Sequence, residues 1–122
     1  LGRDVEEVVV EFPRVYATQI RRGVRGADPN DLLVLAGVCS GIAAVFSGLP
    51  CVSYVPSEWK GQLKYEVCQR RIASRLSLVE RSVLDQAAVS AGNTLAHNVW
   101  DAVGIGLHHL GRFSPQRAAL NE

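Results

Sequence analysis

Glu11 closes a short apolar run, Val8-Val9-Val10-Glu11. Asp101 lies in a mostly apolar stretch that reads His97-Asn98-Val99-Trp100-Asp101-Ala102-Val103-Gly104. A carboxylate at the end of a buried strand is costly unless a cation or a metal compensates its charge. A second one on an apolar helix poses the same problem. Two such carboxylates, far apart in sequence, are the raw material of a divalent-metal site for phosphodiester chemistry. For each, the plainer alternative is a carboxylate turned to solvent or paired with an arginine.

The other chemistry-bearing residues are more scattered. His97, His108 and His109 share one helix, which does not make the tetrahedral arrangement of a structural zinc site. His108 and His109 read instead as favourable charges at a helix C-terminus. The stretch from Arg14 to Asn30, interrupted by Gly23 and Gly26, reads as a loop with Arg21, Arg22 and Arg25 near its tip. Such a loop can track a DNA backbone, or it is a solvated run of charge. Arg71 and Arg75 share a helical face. Lys60 and Lys64 precede or open a helix and, taken alone, are a solvated pair. Trp59 and Trp100 read as core anchors rather than stacking platforms.

These residues need elements to hold them. Val5 to Glu11 reads as a strand bounded by Pro13. Asp28-Pro29-Asn30-Asp31 is a helix-start signal, and the helix runs from about 31 to 46. Ser47-Gly48-Leu49-Pro50 ends it, and Cys51 to Val55 forms a second strand. A turn over 56–61 follows. Three helices are then expected, over about 64–76, 78–91 and 94–110, the last stopped by Gly111. Strand, helix, strand is a crossover unit, so the two strands should be parallel. The ligand-facing edge of such a sheet lies at the carboxyl ends of its strands, where Glu11 falls. Two strands beside three or four helices make a poor sheet, so further strands are expected from an upstream segment or a partner chain.

Bulk properties narrow the class. The 122 residues are 48% hydrophobic, enough for one compact domain with a single core. A formal net charge of +1 gives no overall basic field, so any nucleic-acid surface must be local. Cys39, Cys51 and Cys68 lack CxxC spacing and read as small buried hydrophobes in a reducing compartment. Residues 32–55 carry no charge and are long enough to span a bilayer. Gly37, Ser40, Gly41, Ser47 and Gly48 dilute them and Pro50 breaks them, so a buried helix followed by a buried strand, and no membrane, is the reading. Asp4, Glu6 and Glu7 interrupt any signal-peptide core. The chain has no Met and starts at Leu1, which reads as a piece of a longer translation product.

The segments Val9-Val10-Glu11-Phe12-Pro13-Arg14-Val15-Tyr16, Leu35-Ala36-Gly37-Val38-Cys39-Ser40-Gly41 and Val55-Pro56-Ser57-Glu58-Trp59-Lys60-Gly61-Gln62 occur in that order. Arg70-Arg71-Ile72-Ala73 and His97 to Gly104 follow them. In order and spacing they resemble the RuvC-like Holliday junction resolvases, particularly phage-type relatives, of the RNase H-like fold. The resemblance covers residues 5–112, with 113–122 left as a polar tail. It implies an α/β, RNase H-like architecture, a mixed sheet flanked by helices, whose first strands are lacking from this segment.

The family's active site holds divalent metal with one residue on the first strand, one at the end of the fourth, and two on the last helix. Glu11 matches the fourth-strand glutamate and Asp101 the final helical aspartate. Three residues before Asp101, where the family carries aspartate or histidine, this chain has Asn98, with His97 adjacent as a substitute. The first-strand aspartate has no counterpart. The resemblance therefore implies Mg²⁺ (or Mn²⁺) held by Glu11, Asp101 and Asn98 or His97, with Lys60 and Lys64 on the scissile phosphate. It implies DNA contacts from Arg14, Arg21, Arg22, Arg25 and Arg71, and a homodimer that makes paired cuts in a four-way junction. The expected function is metal-dependent cleavage of branched DNA by the parent protein, in the cytoplasm of a bacterial or phage-infected cell, with this segment alone weak or inactive. Asn98 in place of a charged ligand favours the alternative, a nuclease fold that grips nucleic acid without cutting it.

Overall fold

A computed structural model describes residues 5–13 and 28–113. The element order is β1 (Val8–Glu11), α1 (Pro29–Val45), β2 (Cys51–Tyr54), α2 (Pro56–Trp59), α3 (Tyr65–Ala73), α4 (Leu78–Ala91) and α5 (Ala96–His109). The chain divides into two compact units, Leu1–Glu58 and Trp59–Glu122. The Arg14, Arg21, Arg22 and Arg25 loop and the tail from residue 114 lie outside the described residues.

In the first unit, β1 and β2 pair in parallel with Val8 opposite Cys51 and Glu11 opposite Tyr54. The parallel pairing is the one expected of a strand–helix–strand order. The ladder is shorter than the sequence pattern suggests, because Glu6 and Glu7 are exposed and β2 offers only four partners. Asp28 caps α1, its carboxylate accepting from the Asn30 amide at 2.8 Å, with Pro29 in the first turn. The expected burial of this helix is not observed. Cys39 alone is buried along it, while Leu33, Val34 and Val45 are 70%, 69% and 79% exposed. A two-stranded sheet covers one stripe of a helix, and this helix is apolar well beyond one stripe. No helix among the described residues is long and apolar enough to cross a membrane.

Cys39 and Cys68 are buried as expected, whereas Cys51 is exposed, since it opens β2 at the end of the ladder. The Cys39 thiol donates to the Glu11 carbonyl oxygen at 3.2 Å and so joins α1 to the end of β1. Burial, and then the Glu11 charge, push that thiol's pKa up.

The second unit packs α3 and α4 against α5 around Trp59, Cys68, Ile72, Leu84, Trp100, Ile105 and Leu107. Both tryptophans are buried anchors, as the sequence suggests. Gly104 sits where a Cβ would collide with Cζ3 of Trp59 and come within 2.9 Å of Ile72 Cδ1. Gly106, two residues on, has nothing within 4 Å of that position.

Helix α4 begins with a capping box: the Glu80 amide donates to Ser77 Oγ at 3.2 Å, and the Ser77 amide donates to Glu80 Oε2 at 2.8 Å. Gly92, at φ +83°, ends it. Arg112 reaches back from beyond α5 with both terminal nitrogens on the Glu80 carboxylate, at 2.9 and 3.0 Å, and also donates to the Arg75 carbonyl. One guanidinium thus ties three segments together. The Arg112 fork, with the Ser77 amide, holds the Glu80 carboxyl at about 2, against an ordinary 4.5.

Two stability predictions follow from this unit. Above pH 4.5 Glu80 is ionised folded and unfolded, so its pairing stabilises in full; between there and about 2 the unfolded chain takes up the proton first and that stabilisation is lost. Because the Glu80 side chain is 43% exposed, screening reduces the effect to about 1 kcal/mol. In urea unfolding, Arg112→Ala should lose about that much at pH 7 and much less at pH 2.5; equal losses at both pH values would assign its effect to something other than Glu80. Gly104→Ala should destabilise by roughly 1–3 kcal/mol through overpacking against Trp59. Gly106→Ala, on the same helix, should be neutral or stabilise by up to about 1 kcal/mol. Equal thermal midpoints for the two variants would contradict that account of Gly104.

Candidate functional site

Helix α5 carries Asp101 and Gly104 one turn apart on one face. Because position 104 has no side chain, the Trp59 indole lies directly on the helix there. The residue after Trp59 is Lys60, and its ammonium donates to Asp101 Oδ2 at 2.9 Å. The same ammonium is 5.0 Å from the centroid of the Trp59 ring, within reach of a cation–π attraction. Two residues singled out by type, 41 apart in the chain, therefore meet in one ion pair. Their side chains are 26% and 27% exposed, so the pair stands at the rim of the core and is open to solvent.

Tyr65, which sequence reading passed over, belongs to this cluster. Its hydroxyl accepts from Gln69 Nε2 at 2.7 Å, and burial followed by the Asp101 charge raises its pKa. The one sequence signal was its place, directly after Lys64 and at the first position of a helix. Lys64 precedes that helix and is exposed, and its side chain makes no capping bond.

The remaining expected site residues are placed as follows. Asn98 and His97 are exposed, one turn before Asp101 on α5, at the i−3 and i−4 positions that adjoin it on a helix surface. Glu11 is half-buried at the carboxyl end of β1, in the first unit. Arg71 stacks its guanidinium on Phe113 at 4.2 Å. His108 and His109 fall in the last turn of α5, the position in which partial positive charge is favourable.

Among the described residues, no three His, Cys, Asp or Glu side chains converge as a preformed metal cage. The donors around Asp101 fit a different kind of site. Mg²⁺ keeps several waters and is held by one or two carboxylates together with substrate phosphates, rather than by an all-protein shell. Asp101, partly exposed and paired with Lys60, and the Asn98 amide one turn away would be the protein's share of such a shell. Lys60 adds a cation beside it, suited to a phosphate oxygen. A separate apolar groove of about 420 Å³ between α4 and α5, lined by Val79, Val83, Val99, Val103 and Leu110, has no such chemistry, since its charged rim residues Glu80 and Arg112 pair with each other. Comparison with protein-family models, with curated proteins and with solved structures returns no match.

Proposed function

We propose that Asp101 and Lys60 form the phosphodiester site of a metal-dependent endonuclease acting on branched DNA, of the RuvC-like, RNase H-like kind. The supporting observation is the 2.9 Å pairing of these two residues on the Trp59–Gly104 contact. Asp101 anchors the cation side of the site, with the Asn98 carbonyl or the His97 ring as its neighbour on the same turn. Lys60 offers a point charge to a non-bridging phosphate oxygen, and Lys64 a second, more exposed one. Glu11, at the carboxyl end of a parallel strand in the first unit, is proposed as an acidic metal ligand on the resemblance alone. A divalent ion held by Asp101 would supply Lewis-acid stabilisation of the phosphate and a water of lowered pKa. Arg14, Arg21, Arg22, Arg25 and Arg71 are the proposed DNA-backbone contacts, and a homodimer follows from the symmetry of a four-way junction.

A specific observation favours a second reading, a module that binds structured nucleic acid without cutting it. Asp101 is already neutralised by Lys60, and the residue one turn before it, Asn98, adds no negative charge. Since cleavage is proposed of the parent protein and this segment alone is expected to be weak or inactive, the test is incubation of the parent protein with a labelled four-way junction and a linear duplex, in Mg²⁺ and in Mn²⁺. Metal-dependent paired cuts in the junction, reduced at least about a hundredfold in Asp101→Asn, are expected. Junction binding without cutting in either metal would decide for the binding module. Failure to bind as well as to cut would remove both readings.

A further inference from the structure

Asp101, the carboxylate proposed above as a metal ligand, carries a cation already, the Lys60 ammonium at 2.9 Å. We propose that Lys60 is an exchangeable counter-ion, which balances Asp101 in the free protein and transfers to a phosphate when nucleic acid binds. Divalent-cation binding at Asp101 and phosphate binding at Lys60 then reinforce each other. The phosphate half of this rests on the phosphodiester reading above; the competition at Asp101 does not.

Three features of the cluster make the ion pair exchangeable rather than a fixed strut. The ammonium meets Asp101 at one carboxylate oxygen, and both side chains are about one-quarter exposed, so solvent ions reach the pair. A lysine makes such a contact as a point charge on a flexible four-carbon stem, without the two-pronged lock of an arginine. The Trp59 face, 5.0 Å from the ammonium, gives the displaced charge a second favourable surface while its stem remains anchored beside the core.

The surroundings of Asp101 point the same way. Tyr65 is close enough for the aspartate charge to raise its pKa, but a neutral phenol does not balance a carboxylate. With Lys60 in place, a divalent ion gains little from Asp101, because the charge it would meet is already compensated and the ammonium must be displaced. A phosphate reverses this. It draws the ammonium to itself, leaves Asp101 anionic, and brings oxygens that complete the shell of a small hard cation. By linkage, the cation must then strengthen phosphate binding by the same factor.

The test is a titration of the protein with Mn²⁺, reading free Mn²⁺ by electron paramagnetic resonance, with and without a four-way DNA junction. Without DNA, Lys60→Met should bind Mn²⁺ about threefold to tenfold more tightly than the unaltered protein, as expected for removing one partly screened ion pair. Lys60→Gln should behave alike and guards against a folding defect in the first variant, with circular dichroism confirming both. The gain should vanish when Asp101→Asn is added. With the junction bound, Mn²⁺ affinity of the unaltered protein should rise and the gap to Lys60→Met should close. Unchanged or weaker Mn²⁺ binding by both Lys60 variants, or a gain that survives Asp101→Asn, would overturn the competition. A gap that persists with DNA bound would overturn the transfer. If the junction does not bind, the phosphodiester reading and the transfer both fall, while the DNA-free titration still decides the competition.

Discussion

The lack of a side chain at position 104 is the constraint on which the second unit's candidate site depends. A helix glycine costs up to about 1 kcal/mol relative to alanine. Here the loss is offset by letting a large aromatic ring reach the helix surface, where Trp59 is 4% exposed. Because Lys60 follows Trp59 and Asp101 lies one turn before Gly104, seating the indole also brings the ammonium to the carboxylate. Packing therefore sets the electrostatics. Tryptophan has two side-chain torsions and a rigid ring, so the position of its backbone is well defined once the ring is seated. The flexible lysine stem then searches only a small volume.

The two units differ in how completely they cover their own apolar surface. The second unit buries residues from α3, α4 and α5 together, and fastens its periphery with the Glu80–Arg112 fork. In the first, a helix of seventeen residues lies on a two-stranded sheet, and most of its leucines and valines stay exposed among the described residues. The point of attachment is small and polar in character, the Cys39 thiol on the Glu11 carbonyl. Glu11 gains from it a second hold on its backbone, beside the pairing with β2.

Legibility in the sequence followed the range of the interaction. Helix α4 was readable to its ends, because Ser77 and Gly92 act on their own neighbours. Its capping box also lay open as Ser-x-x-Glu, but the arm that reaches Glu80 from Arg112 spans 32 residues and leaves no local mark. Likewise Lys60 and Asp101 stood out by type, while their meeting across 41 positions depends on how α5 packs on the segment after α2. The short helix α2 was read as a turn, since Pro56 and Glu58 suit either; the Val55 amide donating to Glu58 Oε2 at 2.7 Å decides it. Burial of α1 was misread because an uncharged run predicts what a helix prefers to contact, not whether a surface is there to contact it. The role proposed for Asn98 comes from the resemblance to junction resolvases alone, since no local pattern could suggest it.

The setting of the Lys60–Asp101 pair is intermediate between a buried and an exposed ion pair. A fully buried pair would be held by the cost of leaving either charge unsolvated, and removing one partner would disrupt the fold. A fully exposed pair would be worth too little to hold the lysine near the site. At one-quarter exposure the lysine stem is positioned by the Trp59 packing, while solvent screening keeps the energy of its contact with Asp101 modest. An arginine would bind the carboxylate with two parallel bonds and resist such exchange. The core therefore fixes the stem of the lysine and leaves its charged end at the solvent-facing rim, the setting that the proposed exchange requires.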